Sequence, residues 1–223
     1  MAKEKGMGKG LGALLGDDFS VDFSAPSSTL PVSQIESCRN QPRKNFDQEK
    51  LEELAESIRQ HGVIQPLTVR KLSSCYYQVI AGERRWRAAR MAGLAEVPAV
   101  VIEADDRLAM ELAMIENLQR EDLNPMEEAQ GFRVLVENYG MTQEQAAASV
   151  GKSRSAVSNS MRLLALSEPL RALVEDGKLT AGHGRAILPL SPTLREDAAA
   201  AIMKSGLSVR QTEQLVKQML AKK

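Results

Sequence analysis

The sequence predicts a mainly helical α+β protein, in which a small N-terminal α/β unit is followed by an all-α helix-turn-helix domain. Two observations support this prediction. β-like runs stop at residue 102, with helical periods from Asp105 onward, and only 4% of the 223 residues are aromatic while Ala, Leu, Glu, Gln and Arg are plentiful. We predict a tail over residues 1–29, an α/β domain over 30–125 and a helical domain over 126–223, with the helix-turn-helix at 142–164.

The N-terminal tail is rich in Gly, Ser, Asp and Pro. It contains one short apolar patch, Leu11, Leu14 and Leu15, within G-K-G-L-G-A-L-L-G. This apolar surface is too small to offset the entropy of ordering, so we predict a flexible tail. A P-loop is rejected because no Gly-Lys-Ser/Thr follows a strand. The patch is instead suited to docking on a partner protein.

Helical and β-like patterns alternate in the α/β domain. Asp47 is typical of an N-cap, and Gly62 ends the helix that follows. The apolar face predicted for this helix consists of Leu51, Leu54, Ala55 and Ile58. The predicted strands are Leu67–Lys71, Tyr76–Ala81 and Val97–Ile102, with a helix at Glu83–Met91 that Gly93 stops.

The densest chemical signal is G-E-R-R-W-R-A-A-R, which starts at Gly82 where a strand meets a helix. Backbone N–H groups at a helix N-terminus point toward an anion, and a glycine lets a phosphate approach the backbone closely. Arg84 and Arg85 add permanently charged, forked donors. The pattern indicates a triphosphate site, and the alternative is a solvated arginine face on an amphipathic helix.

A second polar cluster, E-N-L-Q-R-E-D-L-N-P, ends another predicted helix. Its Glu116 and Asn117 place a carboxylate beside an amide oxygen, which suits a hard cation such as magnesium. Arg120 adds a further phosphate donor. Polar residues near an Asn-Pro helix stop are also common as caps, and taken alone the cluster fits that explanation better.

The segment from Met141 to Leu164 has the pattern of a helix-turn-helix. Thr142 caps the first helix, and Ala147, Gly151 and Val157 have the expected spacing. Ser153 caps the second helix, whose Val157 and Met161 we expect to face inward. The residues then available for DNA are Lys152, Ser153, Arg154, Ser155, Ser158, Asn159 and Arg162. The alternative is an ordinary helical hairpin.

The last predicted helix runs from Ser208 to Leu220. Its expected core face comprises Val209, Leu215, Val216 and Leu220.

Composition excludes several classes of protein. Cys38 and Cys75 lack metal-ligand spacing, so we expect reduced thiols rather than a zinc site or a disulfide. No apolar run is long enough to cross a membrane and no signal-peptide core is present, which predicts a cytoplasmic protein without a membrane partner. The net charge is zero, with a mildly basic C-terminal half that is compatible with local DNA binding.

Three segments, in order, resemble the N-terminal boxes of the ParB family of partition proteins. They are R-N-Q-P-R-K-N-F from Arg39, A-G-E-R-R-W-R-A from Ala81 and E-N-L-Q-R-E-D-L-N-P-M-E-E-A from Glu116, and G-V-I-Q-P-L from Gly62 is also similar to a ParB segment. The resemblance implies a ParB/sulfiredoxin-like α/β unit that binds CTP with Mg²⁺ and hydrolyses it slowly as a switch.

The resemblance also implies roles for individual residues. Gly82, Arg84 and Arg85 would hold the CTP phosphates, together with Gln41 and Arg43 of the first box and Arg120 of the third. Glu83 would assist hydrolysis, while Glu116 would join it in catalysis and contact magnesium with Asn117. His183 and Arg185, in K-L-T-A-G-H-G-R-A-I-L, would support recognition of the DNA site. Gly184 replaces the more usual alanine there, which loosens that helix by up to ~1 kcal/mol.

The partners implied are a palindromic partition site on double-stranded DNA, a ParA-like ATPase that meets the N-terminal tail, and a second copy of the chain. In this interpretation CTP and DNA together close two N-terminal domains into a clamp that slides along DNA at the nucleoid. ParB proteins usually continue into a C-terminal dimerisation module, whereas this sequence stops at Lys222-Lys223.

Two other functions stay open at this point. A ParB-like transcription or nucleoid-occlusion regulator would use the helix-turn-helix without an essential nucleotide switch. A sulfiredoxin-like enzyme is disfavoured, because such enzymes need a cysteine beside the phosphate loop and Glu83 stands there instead.

Overall fold

The computed structural model describes residues 28–37, 47–73, 75–120 and 123–221. The chain divides into two compact units between Gln119 and Arg120. None of the helices in these described ranges combines the length and the apolar character that crossing a bilayer requires.

The α/β unit contains a five-stranded mixed sheet. Its strands are β1 (Ser28–Pro31), β2 (Ile35–Glu36), β3 (Leu67–Ser73), β4 (Tyr76–Ala81) and β5 (Glu96–Ile102), in the order β1-β5-β3-β4-β2. β3 runs parallel to β5 and β2 parallel to β4, while the β1–β5 and β3–β4 pairs are antiparallel. The sequence prediction identified β3, β4 and β5 but omitted the two short strands, and β1 begins inside the predicted tail.

Helices cover both faces of this sheet. They are α1 (Gln48–His61), α2 (Glu83–Met91) and α3 (Asp106–Leu118). Val79 and Ile80, which are adjacent in β4, belong to different apolar clusters, one containing α1 and α2 residues and the other containing α3 residues. This division follows from the alternation of side chains along a strand. The predicted face of α1 is confirmed, since Leu51, Ala55 and Ile58 are buried.

One buried arginine joins the sheet to α3. Arg70 of β3 is only 8% exposed. Its Nε and Nη2 donate to Gln78 Oε1 at 2.9 and 2.7 Å, and it forms an ion pair with Asp106 in the first turn of α3. A buried charge is tolerated only where it is paired and hydrogen-bonded, as it is here.

All regular secondary structure in the described residues of the second unit is helical. Its helices are α4 (Pro125–Glu137), α5 (Gln143–Ser149), α6 (Arg154–Arg162), α7 (Glu168–Glu175), α8 (Ala181–Ile187), α9 (Pro192–Ser205) and α10 (Val209–Ala221). Asn124, Thr142 and Thr180 each form a capping box at the start of α4, α5 and α8. These caps satisfy N–H groups that have no partner within the helix.

Two arginines bind backbone carbonyls at helix ends. Arg171 donates to the carbonyls of Leu164 and Leu166, which follow α6. Arg195 donates to Leu188 and Leu190 at 2.6 and 2.8 Å, and to Ala165 at 3.1 Å. Carbonyls at a helix C-terminus lack intrahelical donors, so these contacts fix the segments after α6 and α8.

One expectation about the last helix is wrong, because Leu220 is 46% exposed and Thr212 is buried in that helix instead. Gly184 has a packing role that the sequence did not indicate, because a Cβ there would lie 2.9 Å from Leu163 Cδ2 and 3.2 Å from Leu166 Cδ1. Both leucines are almost fully buried, so the glycine permits close packing of α8 on the segment after α6.

Thr142→Ala should lower the free energy of unfolding by about 1 kcal/mol, because it removes the capping hydroxyl of α5. Thr142 Oγ1 accepts from the Gln145 N–H at 3.1 Å. Ser167→Ala is a matched control, since Ser167 is the N-cap of α7 but its side chain makes no capping bond. Urea denaturation followed by far-ultraviolet circular dichroism measures both changes. Equal losses for the two variants would contradict this assignment of the cap.

Candidate functional site

The junction between β4 and α2 is built on a glycine with a left-handed backbone. Gly82 has φ +98°, and its carbonyl accepts the first helical bond of α2, from Trp86 N at 3.0 Å. A Cβ at this position would lie 2.8 Å from Leu67 Cδ2. Both the positive φ and the close contact with β3 therefore require glycine. The turn leaves the N–H groups at the start of α2 available to an anion.

Arg85 places its guanidinium beside this glycine. Its Nη1 donates to the carbonyls of Gln65 and Pro66 at 2.7 and 2.8 Å. Its Nη2 lies 3.2 Å from where a Cβ on Gly82 would stand. Burial lowers the pKa of Arg85 from its usual value, while the nearby Glu116 carboxylate raises it. Because a guanidinium stays protonated at physiological pH, this desolvated cation is suited to receive an anion at the turn.

The side chains of Glu83 and Arg84 form their hydrogen bonds away from the turn at Gly82. Glu83 is only 7% exposed, and its Oε1 accepts from Ser37 Oγ at 3.0 Å and from Arg87 Nε at 2.7 Å. Its Oε2 is buried and has no partner among the described residues. Arg84 donates to the Lys50 carbonyl at 3.4 Å. Glu83 therefore links the end of β2 to α2, and its catalytic role stays a prediction, as does phosphate binding by Arg84.

The predicted magnesium residues lie at the end of α3. Glu116 is exposed and Asn117 half-buried, and Glu116 is close enough to Arg85 to affect its pKa. Among the described residues no group of three His, Cys, Asp or Glu side chains is placed to hold a metal ion. A carboxylate with an amide still fits Mg²⁺, which normally takes one or two protein ligands together with phosphate oxygens. These residues fit a magnesium that arrives with a nucleotide.

Other predicted site residues are not placed at this junction. Gln41, Arg43, Leu11, Leu14 and Leu15 lie outside the described residues. Arg120 belongs to the helical unit and is half-buried, and its phosphate role stays a prediction.

Two contacts at the junction escaped sequence reasoning. No sequence pattern indicates that Ser37 contacts Glu83. The acceptors of Arg85 at Gln65 and Pro66 are backbone carbonyls, which every residue has, so residue types do not reveal this contact. The G-V-I-Q-P-L segment that contains Gln65 and Pro66 was nevertheless identified by its similarity to a ParB segment.

The helix-turn-helix has the predicted local structure. Ala147 and Val157 are buried, and Gly151 has φ +69° in the turn between α5 and α6. The Ser153 hydroxyl accepts from Ala156 N at 3.2 Å and caps α6. Met161 is only half-buried and contributes less to the interior than expected.

Exposure varies among the residues predicted to contact DNA. Lys152, Ser153, Arg154, Ser155 and Arg162 are exposed, while Ser158 and Asn159 are half-buried. Arg154 and Arg162 lie at the two ends of α6 and belong to the solvent-facing side of that helix. Their contact with DNA stays a prediction that this exposure permits.

A cleft of about 490 Å³ separates α4, α6 and α8. The polar side chains that line it are Glu128, Ser153, Ser155, Asn159, Ser160 and Arg185. His183 is nearby in sequence and has a structural contact, because its Nδ1 accepts from Thr180 N at 3.3 Å in the capping box of α8. An acceptor at Nδ1 leaves the ring proton on Nε2, which is buried and has no partner among the described residues. Arg185 and Asn159 thus share a cleft that sequence spacing alone did not indicate.

Comparison with known proteins gives matches for both units. Residues 21–118 match the family model of the ParB N-terminal domain, and residues 121–221 match that of the ParB HTH domain. The chromosome-partitioning protein Spo0J of Thermus thermophilus is 51% identical over 213 residues, which cover 96% of this chain and 77% of the relative.

Solved structures of one relative cover most of the chain. The C-terminally truncated chromosome-partitioning protein ParB from Caulobacter crescentus, complexed to the centromeric parS site, is 44% identical. It covers 86% of this chain and 100% of its own, with a TM-score of 0.77. The same protein complexed with CTP-γ-S is 46% identical over 79% of this chain and 98% of its own, with a TM-score of 0.40.

Gly82→Ala should destabilise the α/β unit more than Gly93→Ala does. Both glycines have a positive φ, so either alanine costs about 1 kcal/mol in backbone strain. A Cβ at Gly93 meets nothing within 4 Å, whereas one at Gly82 meets Leu67. We expect an additional loss of about 1–3 kcal/mol from this overpacking. Trp86, the sole tryptophan, reports unfolding of this unit by fluorescence, and equal losses would argue against the Leu67 contact.

Proposed function

This chain belongs to the ParB family, and from this premise we propose that it is a partition protein that binds a palindromic DNA site and uses CTP as a switch. The helical unit supplies the DNA-binding surface and the α/β unit supplies the nucleotide site. The observation that supports the switch most strongly is Arg85, held by two backbone carbonyls beside the left-handed turn at Gly82.

Phosphate binding at this turn follows from its charge and hydrogen-bonding capacity. The N–H groups at the start of α2 and the guanidinium of Arg85 both favour a negative charge at the same place. Arg85 is already oriented by the carbonyls of Gln65 and Pro66, so little further ordering is needed when a phosphate binds. A solvated arginine face would not show these bonds. CTP is the nucleotide that membership of this family implies.

We propose that hydrolysis of CTP at this site is slow switch chemistry, as membership of the ParB family implies. Phosphoryl transfer depends on positioning and on neutralising charge, and no covalent intermediate on the protein is required. Glu116 and Asn117 would hold Mg²⁺, which would neutralise phosphate charge when it is bound. Glu83 is engaged by Ser37 and Arg87, so in our proposal it positions the start of α2. Its Oε2, which has no partner among the described residues, would be the oxygen that assists a water molecule.

DNA binding is assigned to the helix-turn-helix. The Caulobacter relative, with a TM-score of 0.77, was crystallised on the centromeric parS site. Exposed Arg154 and Arg162 are suited to phosphates or bases, and Arg185, Asn159 and Ser155 line a cleft next to α6. A palindromic site requires two copies related by two-fold symmetry, so we propose that two protomers bind side by side.

The remaining parts of the proposal concern assembly. CTP and DNA together would close two α/β units into a sliding clamp, and the tail leucines Leu11, Leu14 and Leu15 would dock on a ParA-like ATPase. These events would take place in the cytoplasm at the nucleoid. A regulator without a nucleotide switch would need the helical unit alone.

Arg85→Ala should weaken CTP binding by about tenfold to a hundredfold, because a hydrogen bond to a charged group contributes about 1.5–3 kcal/mol. Calorimetric titration of CTP, ATP, GTP and UTP with Mg²⁺ measures this loss and the selectivity for CTP.

Arg90→Ala is the matched control for this titration. It removes the same charge from the same helix, but Arg90 lies over the Trp86 ring and not at the turn. Intact duplex binding without any nucleotide binding in the wild type would contradict the switch and leave a DNA-binding regulator.

Arg154→Ala should reduce affinity for duplex DNA and lower the slope of log K against log salt by about 1, the value expected for one lost phosphate contact. Lys204→Ala removes an exposed cation from the last turn of α9 and should leave the slope unchanged. Fluorescence anisotropy at several salt concentrations provides the measurement. A similar change in both variants would indicate a diffuse charge effect instead of binding through α6.

A further inference from the structure

Lys152 stands between the two helices of the helix-turn-helix, but its charge is engaged within the protein. Its Nζ lies 2.6 Å from Glu128 Oε2, and the side chains are 39% and 25% exposed. The ammonium also lies 5.9 Å from the centroid of the Phe132 ring. Glu128 and Phe132 both belong to α4, so Lys152 is directed back onto that helix.

Both ends of this ion pair are held in place by the fold. Glu128 lies in the first turn of α4, where the helix dipole favours a negative charge. The backbone N–H of Lys152 donates to the Ala147 carbonyl at 2.9 Å, and the next residue is the cap of α6. A pair with fixed ends and a partly buried carboxylate loses less side-chain entropy on forming than a fully exposed surface pair.

The Glu128 carboxylate also lines the cleft that contains Arg185, Ser153 and Asn159. It is therefore a negative charge among the polar and cationic side chains proposed to meet DNA. A DNA phosphate that approaches Lys152 must compete with this carboxylate and is repelled by it. The pair consequently opposes the part of DNA affinity that does not depend on sequence.

We infer that Glu128 restrains DNA binding by holding Lys152 away from the phosphates, and that it sets the sequence-independent affinity of the helical unit. This inference rests on the proposed DNA-binding function. Lys152 itself contributes little to affinity in the wild type, and its contribution appears once Glu128 loses its charge.

The experiment is a double-mutant cycle on the full chain. Glu128→Gln should raise affinity for a random-sequence duplex by about fivefold to tenfold near 0.1 M salt and steepen the salt slope by about 1, as one additional phosphate contact would. In a Lys152→Ala background, the same Glu128→Gln change should raise affinity by no more than about twofold, because only the carboxylate's own repulsion of phosphate is then relieved.

Glu127→Gln is the control for net charge. Glu127 is in the same turn of α4, but its carboxylate accepts from the Asn124 N–H, a bond that glutamine preserves. An equal rise for Glu127→Gln, no rise for Glu128→Gln, or a rise that is equally large without Lys152 would overturn the inference. A wild-type chain without salt-dependent duplex binding would contradict the proposed function itself, and the inference with it. Thermal unfolding confirms that each variant is folded.

Discussion

The left-handed backbone at Gly82 is the constraint on which the α/β unit depends. It lets α2 begin directly against β3, where no Cβ fits beside Leu67. The start of α2 in turn carries Glu83 into the interior, where it meets Ser37 at the end of β2. It also brings Arg85 to the carbonyls of the segment before β3. One backbone conformation thus joins several segments and places a cation where an anion is favoured, so the stability of the unit and the proposed phosphate site depend on the same residue.

The DNA-binding capacity proposed for the helical unit depends on which of its cations are already engaged within the protein. A net charge of zero is unfavourable for a DNA-binding protein if charges are simply counted. The structure shows that individual cations differ: Arg171 and Arg195 bind backbone carbonyls, and Lys152 is paired with Glu128. Arg154 and Arg162 remain exposed on α6. A few exposed cations beside paired ones are suited to moderate non-specific attraction and to selective binding at one surface.

The sequence predicted features that depend on local chemistry. The bounds of α2, the Asp47 and Thr142 caps and the buried Ala147 and Val157 all follow from spacing or capping, which neighbouring residues determine. Features that depend on contacts between residues far apart in the sequence could not be predicted from it. The short strands β1 and β2 have too few residues for a periodicity, and the Glu128–Lys152 pair joins positions 24 apart. The exposure of Leu220 and the tight packing around Gly184 likewise depend on what the fold places opposite them.

Coupling between nucleotide binding and DNA binding distinguishes a switch from a DNA-binding protein whose nucleotide site has no effect on its affinity for DNA. The most direct measurement is the calorimetric Kd for CTP-γ-S with Mg²⁺, with and without a saturating duplex that carries a parS site. A switch requires the Kd to change by at least about fivefold, which corresponds to a coupling of about 1 kcal/mol. Titrating the duplex with and without CTP-γ-S should then give the same factor, because linkage is reciprocal. An unchanged Kd would contradict the switch, even if both ligands bind.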